Sequence, residues 1–235
     1  MILLEVSGIR CGYGGSVVLH DLSMHVNQGE AVVILGPNGH GKTTLLRAIS
    51  GLVPLTAGEI KFEGRTISGL EAEEITAAGV VHIPQGDLPF PEMTVEENLL
   101  MGAYLPRAWA RRGEKLDRVY SLFPRLGERR NQLARTLSGG ERRMLALGRG
   151  LMSDAKLLMI DEPSLGLAPI VIEEVYTKIK EIAASGLSIL LVDENATHAV
   201  HVAQRVYLLE SGSLVKEGQA GELLMDEALF SAYLG

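Results

Sequence analysis

The segment Ala31-Val32-Val33-Ile34-Leu35, followed by Gly36-Pro37-Asn38-Gly39-His40-Gly41-Lys42-Thr43, constrains this chain more than any other stretch. A continuous apolar, β-branched run predicts a strand buried on both faces, as in a parallel sheet. The turn behind it fits G-x-x-x-x-G-K-[ST], and residues 44–50 predict a helix directly after the turn. In that setting the glycines let backbone N–H groups close around phosphate oxygens, and the helix N-terminus adds the positive end of its dipole. Lys42 contributes a point charge, and the Thr43 hydroxyl can ligate Mg²⁺. The expected phosphate-binding set is Gly36, Pro37, Asn38, Gly39, His40, Gly41, Lys42, Thr43 and Thr44.

Comparable apolar runs recur at 80–83, 157–160 and 189–192, alternating with helical patterns such as 170–183. That alternation predicts an α/β core. The opening stretch, 3–13 and then 17–26, instead alternates apolar and polar residues with glycine between, as an antiparallel sheet with one exposed face does. A mixed β lobe stacked on the core is therefore expected. From about Gly86 to Ala155 the character changes, and 95–104, 115–123 and 140–152 each predict a helix. The expected organisation is a single domain, 1–235, with residues 1–85 and 156–235 as the core with its β lobe and 86–155 as an inserted helical lobe. Pro89-Phe90-Pro91 is expected to be a hinge loop.

The run 157–160 delivers Asp161 and Glu162 at its C-terminal edge, where ligands bind in open α/β sheets. Asp161 would hold Mg²⁺ through water. Glu162 would polarise an attacking water as general base, with Mg²⁺ and Lys42 absorbing the charge of a transferring phosphoryl group. Strand ends commonly carry surface acids, and it is the pairing with the phosphate loop that makes these two chemical. A third element is Leu137-Ser138-Gly139-Gly140-Glu141, immediately before a helical run over 142–152. Ser138 is a helix N-cap residue, and the two glycines after it leave N–H groups uncovered, which makes a second anion site. An ordinary capped helix explains Ser138 but not the adjacent glycines, which cost roughly 1 kcal/mol each inside a helix. One chain is not expected to use both anion sites on one ATP.

Composition narrows the surroundings. With 46% hydrophobic and 22% charged residues the chain matches folded soluble domains. Its apolar runs are far shorter than the roughly 20 residues of a membrane-spanning helix. No basic leader precedes the first strand pattern, so cytosolic residence is expected. Cys11 is the one cysteine and is expected to be a small packed side chain. A formal net charge of -7 argues against nucleic acid or an anionic membrane surface as the principal partner, and for a protein.

Taken in order along the chain, the loop 36–43, Gln85, 137–141, Asp161-Glu162 and Ser164-Leu165-Gly166-Leu167 resemble an ABC-type ATPase. The resemblance implies bound ATP and Mg²⁺ and a separate integral-membrane permease. It also implies a head-to-tail dimer in which Ser138, Gly139 and Gly140 of one subunit close on the γ-phosphate held by Lys42 of the other. Lys42, Gln85, Ser138 and Glu162 would then be the catalytic set, and Thr43, Gln85 and Asp161 the metal set. Tyr13 matches the aromatic that stacks on adenine, although a strand aromatic packing in the β lobe fits the same residue. Gln85 matches the glutamine that touches Mg²⁺ and links the core to the helical lobe and permease; an exposed loop glutamine is its alternative. His40 stands where the family commonly has a small residue, so only its backbone is expected to meet phosphate, with the imidazole toward solvent.

Three further segments narrow the resemblance: 93–99, 122–126 and 163–169 look like the smaller ATPase subunit of branched-chain amino-acid importers. That would place the chain on the inner face of the cell membrane through the permease, with an extracytoplasmic solute-binding protein as an indirect partner. Related urea, amide and lipopolysaccharide-export ATPases share pieces of these segments, and Gly140-Glu141-Arg142-Arg143 also resembles the export branch. A homodimer and a heterodimer are equally compatible. A soluble ABC ATPase of DNA repair or translation would need long coiled coils or a second cassette, and the chain has neither pattern. One departure stands out: the family's switch histidine aligns with Glu194, and a carboxylate cannot donate to a γ-phosphate unless protonated. Glu194 is expected to lie near the γ-phosphate without contacting it as an anion. His198 either approaches the nucleotide from a helix beginning near Asn195 or is a surface histidine.

Overall fold

The computed structural model describes residues 1–86 and 89–225. The expected helical lobe beginning at Gly86 and the expected domain end at 235 therefore include residues 87–88 and 226–235, which lie outside the described residues. Among the described residues ten strands form two sheets: β1 (Ile2–Tyr13), β2 (Ser16–Asn27), β3 (Ala31–Leu35), β4 (Leu55–Phe62), β5 (Arg65–Thr66), β6 (Val80–Ile83), β7 (Leu157–Asp161), β8 (Ser188–Asp193), β9 (Arg205–Glu210) and β10 (Ser213–Gln219). The helices are α1 (Lys42–Ile49), α2 (Ala72–Ala78), α3 (Val95–Met101), α4 (Pro106–Ala110), α5 (Arg112–Leu122), α6 (Pro124–Glu128), α7 (Gly139–Met152), α8 (Pro169–Ala184), α9 (Ala196–Ala199) and α10 (Ala220–Met225).

The six-stranded sheet has the order β10-β9-β3-β8-β7-β6, parallel except for β10, and the four-stranded sheet β2-β1-β4-β5 is antiparallel. Side-chain alternation divides the parallel strands between two cores. Val33, Leu158, Ile160, Ile189 and Leu191 face one core with the helices between β6 and β7, whereas Val32, Ile34, Leu157, Met159, Leu190 and Val192 face the other with α1 and the antiparallel sheet. A sheet covered on both faces needs apolar residues at every position, which is why β3 and β7 carry continuous apolar runs. Each fully buried Leu, Ile or Val contributes about 1.5–3 kcal/mol. Cys11 is buried in the second core, as a small apolar side chain would be.

Because β3, β6, β7 and β8 run parallel, their C-terminal ends lie along one edge of the sheet. Register places Leu35 opposite Asp193, Asp161 opposite Val192 and Ile83 opposite Ile160. The phosphate loop, Gln85, Asp161-Glu162 and Asp193-Glu194 therefore leave the sheet side by side, although they span most of the chain. The strands β9 and β10, and the antiparallel β4 and β5, complete the two sheets.

Candidate functional site

The helix after the phosphate loop begins at Lys42, two residues before the expected start. Gly41 is its N-cap with φ at 106°, in the left-handed region that a side chain rarely adopts, and a Cβ there would meet Leu19 at 2.7 Å. The backbone therefore turns sharply enough to put Lys42, Thr43 and Thr44 in the first helical turn, whose N–H groups have no intrahelical acceptor. Lys42 is buried, and its Nζ donates to the carbonyl oxygens of Gly36 at 2.8 Å and Pro37 at 3.1 Å. The same nitrogen lies 3.2 Å from Glu162 Oε1.

His40 does not turn to solvent. Its Nδ1 accepts from the Ser211 N–H at 3.0 Å and its carbonyl from the Gly212 N–H at 3.1 Å, so the imidazole ties the phosphate loop to the β9–β10 turn. The backbone around Gly41 carries His40 toward that turn, a neighbour more than 160 positions away in the chain. This corrects the expectation of an outward-facing ring.

Glu162 follows the end of β7 with φ at 44°, a conformation costing of order 1 kcal/mol for a non-glycine residue. Its N–H donates to Val192 O at 2.9 Å, and Arg143 Nη2 donates to its carbonyl at 3.4 Å, which holds the backbone in that state. The strained turn directs the carboxylate inward, where Gln85 Nε2 donates to Oε2 at 2.9 Å. Asp161 is fully buried, its Oδ1 accepting from the Thr43 hydroxyl at 3.2 Å while Oδ2 is enclosed without a hydrogen-bond partner. Burial, with Glu162 nearby, pushes its carboxyl up to about 6. An enclosed carboxylate oxygen with no donor is costly, and a divalent cation is the kind of partner that satisfies it. Of the metal set expected from the sequence, Thr43 and Asp161 are brought into contact, while Gln85 is bonded to the neighbouring Glu162.

Ser138 caps α7 reciprocally: its Oγ accepts from the Glu141 N–H at 3.3 Å and Glu141 Oε2 accepts from the Ser138 N–H at 2.9 Å. The N–H groups left without a capping partner are those of Gly139 and Gly140. Gly140 also has a packing reason, since a Cβ there would lie 2.5 Å from Val171 Cγ1. Among the described residues no hydrogen bond joins Ser138, Gly139 or Gly140 to residues 36–44, and Ser138 is exposed. Tyr13 sits at the β1–β2 hairpin and is 46% exposed, so its ring is not absorbed into the β lobe.

Four hydrogen bonds at this edge were not read from sequence. Asn38 Nδ2 donates to Glu194 Oε2 at 2.5 Å, joining the phosphate loop to the residue after β8. Asp193, beside it, is buried and accepts from the Tyr176 hydroxyl, from Ser164 Oγ at 3.4 Å and, on Oδ1, from the Asn195 N–H at 2.9 Å. Burial pushes the Asp193 carboxyl up. The available signal was an acid ending an apolar strand, the same one that marked Asp161. His198 stacks on Tyr176 with ring centroids 5.5 Å apart, so it packs against α8, and among the described residues it forms no side-chain hydrogen bond with the phosphate loop.

Comparison with known proteins identifies the family and the fold. A family model described as ABC transporter matches residues 19–165. The high-affinity branched-chain amino acid transport ATP-binding protein BraG of Pseudomonas aeruginosa is 41% identical over 99% of this chain and 100% of its own length. The lipopolysaccharide export system ATP-binding protein LptB of Escherichia coli is 33% identical over 100% of this chain and 98% of its own. Among solved structures, an ATP-binding cassette of an ABC transporter in its ADP conformation superposes with a TM-score of 0.85 at 28% identity, covering 100% of this chain and 99% of that one. The chain belongs to the ATP-hydrolysing, ATP-binding subunits of the ABC transporter family.

Proposed function

We propose that this chain powers a membrane permease that imports branched-chain amino acids. The observation that carries this is 41% identity along the whole of a protein named for that transport. A probable branched-chain amino acid transport ATP-binding protein LivF of Archaeoglobus fulgidus, 34% identical over 99% of both chains, supports it. The full-length similarity to the lipopolysaccharide-export ATPase, at 33%, favours export as the second reading.

In the proposed mechanism Lys42 and the first-turn N–H groups of α1 receive the β- and γ-phosphates of ATP. Thr43, Asp161 and Gln85 would hold Mg²⁺, which when bound neutralises phosphate charge. Glu162 takes a proton from the attacking water, and Gln85, bonded to it, orients the carboxylate. Ser138, Gly139 and Gly140 stand apart from the chain's own phosphate loop, so a second subunit supplies them in trans. Tyr13, half exposed, stacks on adenine. Residues 86–155 act as a lobe that reports the nucleotide to the permease.

The chain is held at the membrane by that permease, since no described helix is long and apolar enough to cross a bilayer. A groove of about 410 Å³ between Pro84 and Tyr104, lined by the exposed Phe90, Met101 and Tyr104, is the proposed contact. Copurification from native membranes followed by reconstitution into proteoliposomes tests the proposal. ATP-dependent leucine uptake with the copurified permease is expected. A copurified subunit that extracts lipopolysaccharide instead, or no membrane subunit, overturns it.

A further inference from the structure

A cleft of about 520 Å³ lies away from the phosphate site and shares no lining residue with it. Its walls are α4 and α5, the link 153–156 by which the chain returns from the helices to β7, and the turn 185–187 after α8. Five cations line it, Arg107, Arg111, Lys115, Arg118 and Lys156, in a chain whose formal net charge is -7.

The carboxylates present do not balance them. Asp154 alone serves three cations: Arg107 Nε at 3.0 Å, Arg111 Nη2 at 2.7 Å and Lys115 Nζ at 3.0 Å. Burial would raise the Asp154 carboxyl, but Lys115, Arg111 and Arg107 hold it below the usual carboxylate range. It is therefore ionised, and carries one charge against three. Lys156 is paired with Glu63 at 2.6 Å. Arg118 donates to the Ser185 hydroxyl at 3.1 Å and, among the described residues, forms no ion pair. Helix capping accounts for part of the cluster, since Lys115 also donates to Ser153 O at 2.6 Å at the end of α7. It does not account for Arg118, which reaches the same concavity without a carboxylate, nor for five cations held there against the two carboxylates of Asp154 and Glu63.

We propose that this cleft is a second oxyanion site, taking a small soluble solute that bears two or more phosphate groups. Arginine forks match phosphate oxygens in pairs, and the volume falls in the range of roughly 300–1,000 Å³ usual for small-molecule sites. A concave site between two structural layers suits a solute better than the flat surface of a bilayer. Because its walls come both from the helices inserted between β6 and β7 and from the α8–β8 turn, a bound anion would fix one relative placement of the two.

The test is calorimetric titration of the full chain with inorganic tripolyphosphate, with the nucleotide site saturated by a fluorescent ADP that reports its own retention. One equivalent is expected to bind while ADP stays bound, more weakly as salt rises. Arg111→Gln with Arg118→Gln, both at exposed positions, should weaken binding by about tenfold or more without changing ADP affinity. Asp154→Asn should tighten it, because the competing carboxylate charge is gone. Tripolyphosphate that binds only by displacing ADP, or that ignores all three substitutions, overturns the proposal. So does capture of the chain by phosphatidylglycerol vesicles through Arg111 and Arg118 when soluble tripolyphosphate fails to bind.

Discussion

The ammonium of Lys42 and the carboxylate of Glu162 form a buried ion pair at 3.2 Å. The same nitrogen donates to the carbonyls of Gly36 and Pro37. Two of the ammonium's three protons are spent on those carbonyls, and Glu162 balances the remaining charge as an ion pair, so an incoming phosphate would compete with Glu162 for Lys42. In the proposed mechanism Glu162 is the partner that would leave, because a phosphate oxygen would replace its charge, and its release would free the carboxylate for use as a base.

Glu162→Gln should therefore bind ATP at least as well as the wild type, since a neutral amide competes less for Lys42. Turnover should fall by about 10²–10⁴, the usual worth of a general base, and ATP should accumulate in a closed dimer. Single-turnover hydrolysis and sizing chromatography with ATP check both parts. A variant that hydrolyses normally removes Glu162 from the role.

Lys42→Ala should abolish most ATP binding. It should also destabilise the nucleotide-free chain by about 3 kcal/mol, because it leaves a buried carboxylate unpaired. Adding Glu162→Gln to Lys42→Ala should recover most of that loss without restoring ATP binding. Urea denaturation of the two variants measures the coupling, and equal stabilities would mean that Glu162 relaxes to solvent.

Ser138→Arg should leave ATP binding to the isolated chain nearly intact while suppressing hydrolysis, because the side chain would crowd a site used across the dimer. Equilibrium binding alongside steady-state turnover separates the two effects. Loss of ATP binding would place Ser138 in its own chain's pocket.

Glu194 is exposed and spends its carboxylate on Asn38 of the phosphate loop. Two like charges at about 4 Å repel by several kcal/mol at a protein surface, which would keep it from a bound γ-phosphate. Glu194→Ala should change hydrolysis little, and Glu194→His should speed it by supplying a donor. His198→Ala should be silent in turnover, since that ring is committed to Tyr176. Single-turnover rates decide, and near-total loss in Glu194→Ala would make this glutamate catalytic.

His82 gives the chain an acid-sensitive stability. Its Nε2 is enclosed without a partner and Nδ1 lies 3.3 Å from the Ser50 hydroxyl, while burial and Arg47 push its pKa from 6.5 down to about 4. Above about pH 6.5 the ring is neutral folded or unfolded, and His82 contributes no pH dependence. Between about 6.5 and 4 only the unfolded chain takes the proton, so stability falls as pH falls. The loss should approach about 2 kcal/mol by pH 5, at about 1.4 kcal/mol per pH unit. Urea midpoints for wild type and His82→Gln across this range should diverge, and parallel curves would show that His82 charges in the folded chain.

What the sequence determined by itself is what short-range physics determines. The strand, the glycine turn and the first helical turn that carries Lys42 are adjacent in the chain, and so are Ser138 and Glu141 of the reciprocal cap. Continuous apolar runs announced a sheet buried on both faces, because no other environment tolerates such strands. Tertiary structure alone decided how the acids and the loop meet, since Lys42 and Glu162 are 120 positions apart and their contact depends on β3, β8 and β7 lying side by side in register. His40 bonded to the β9–β10 turn, His198 stacked on Tyr176 and the cations gathered around Asp154 belong to the same class. Each depends on long-range packing that sets which side chains face one another, and residue type and spacing carry no record of that choice.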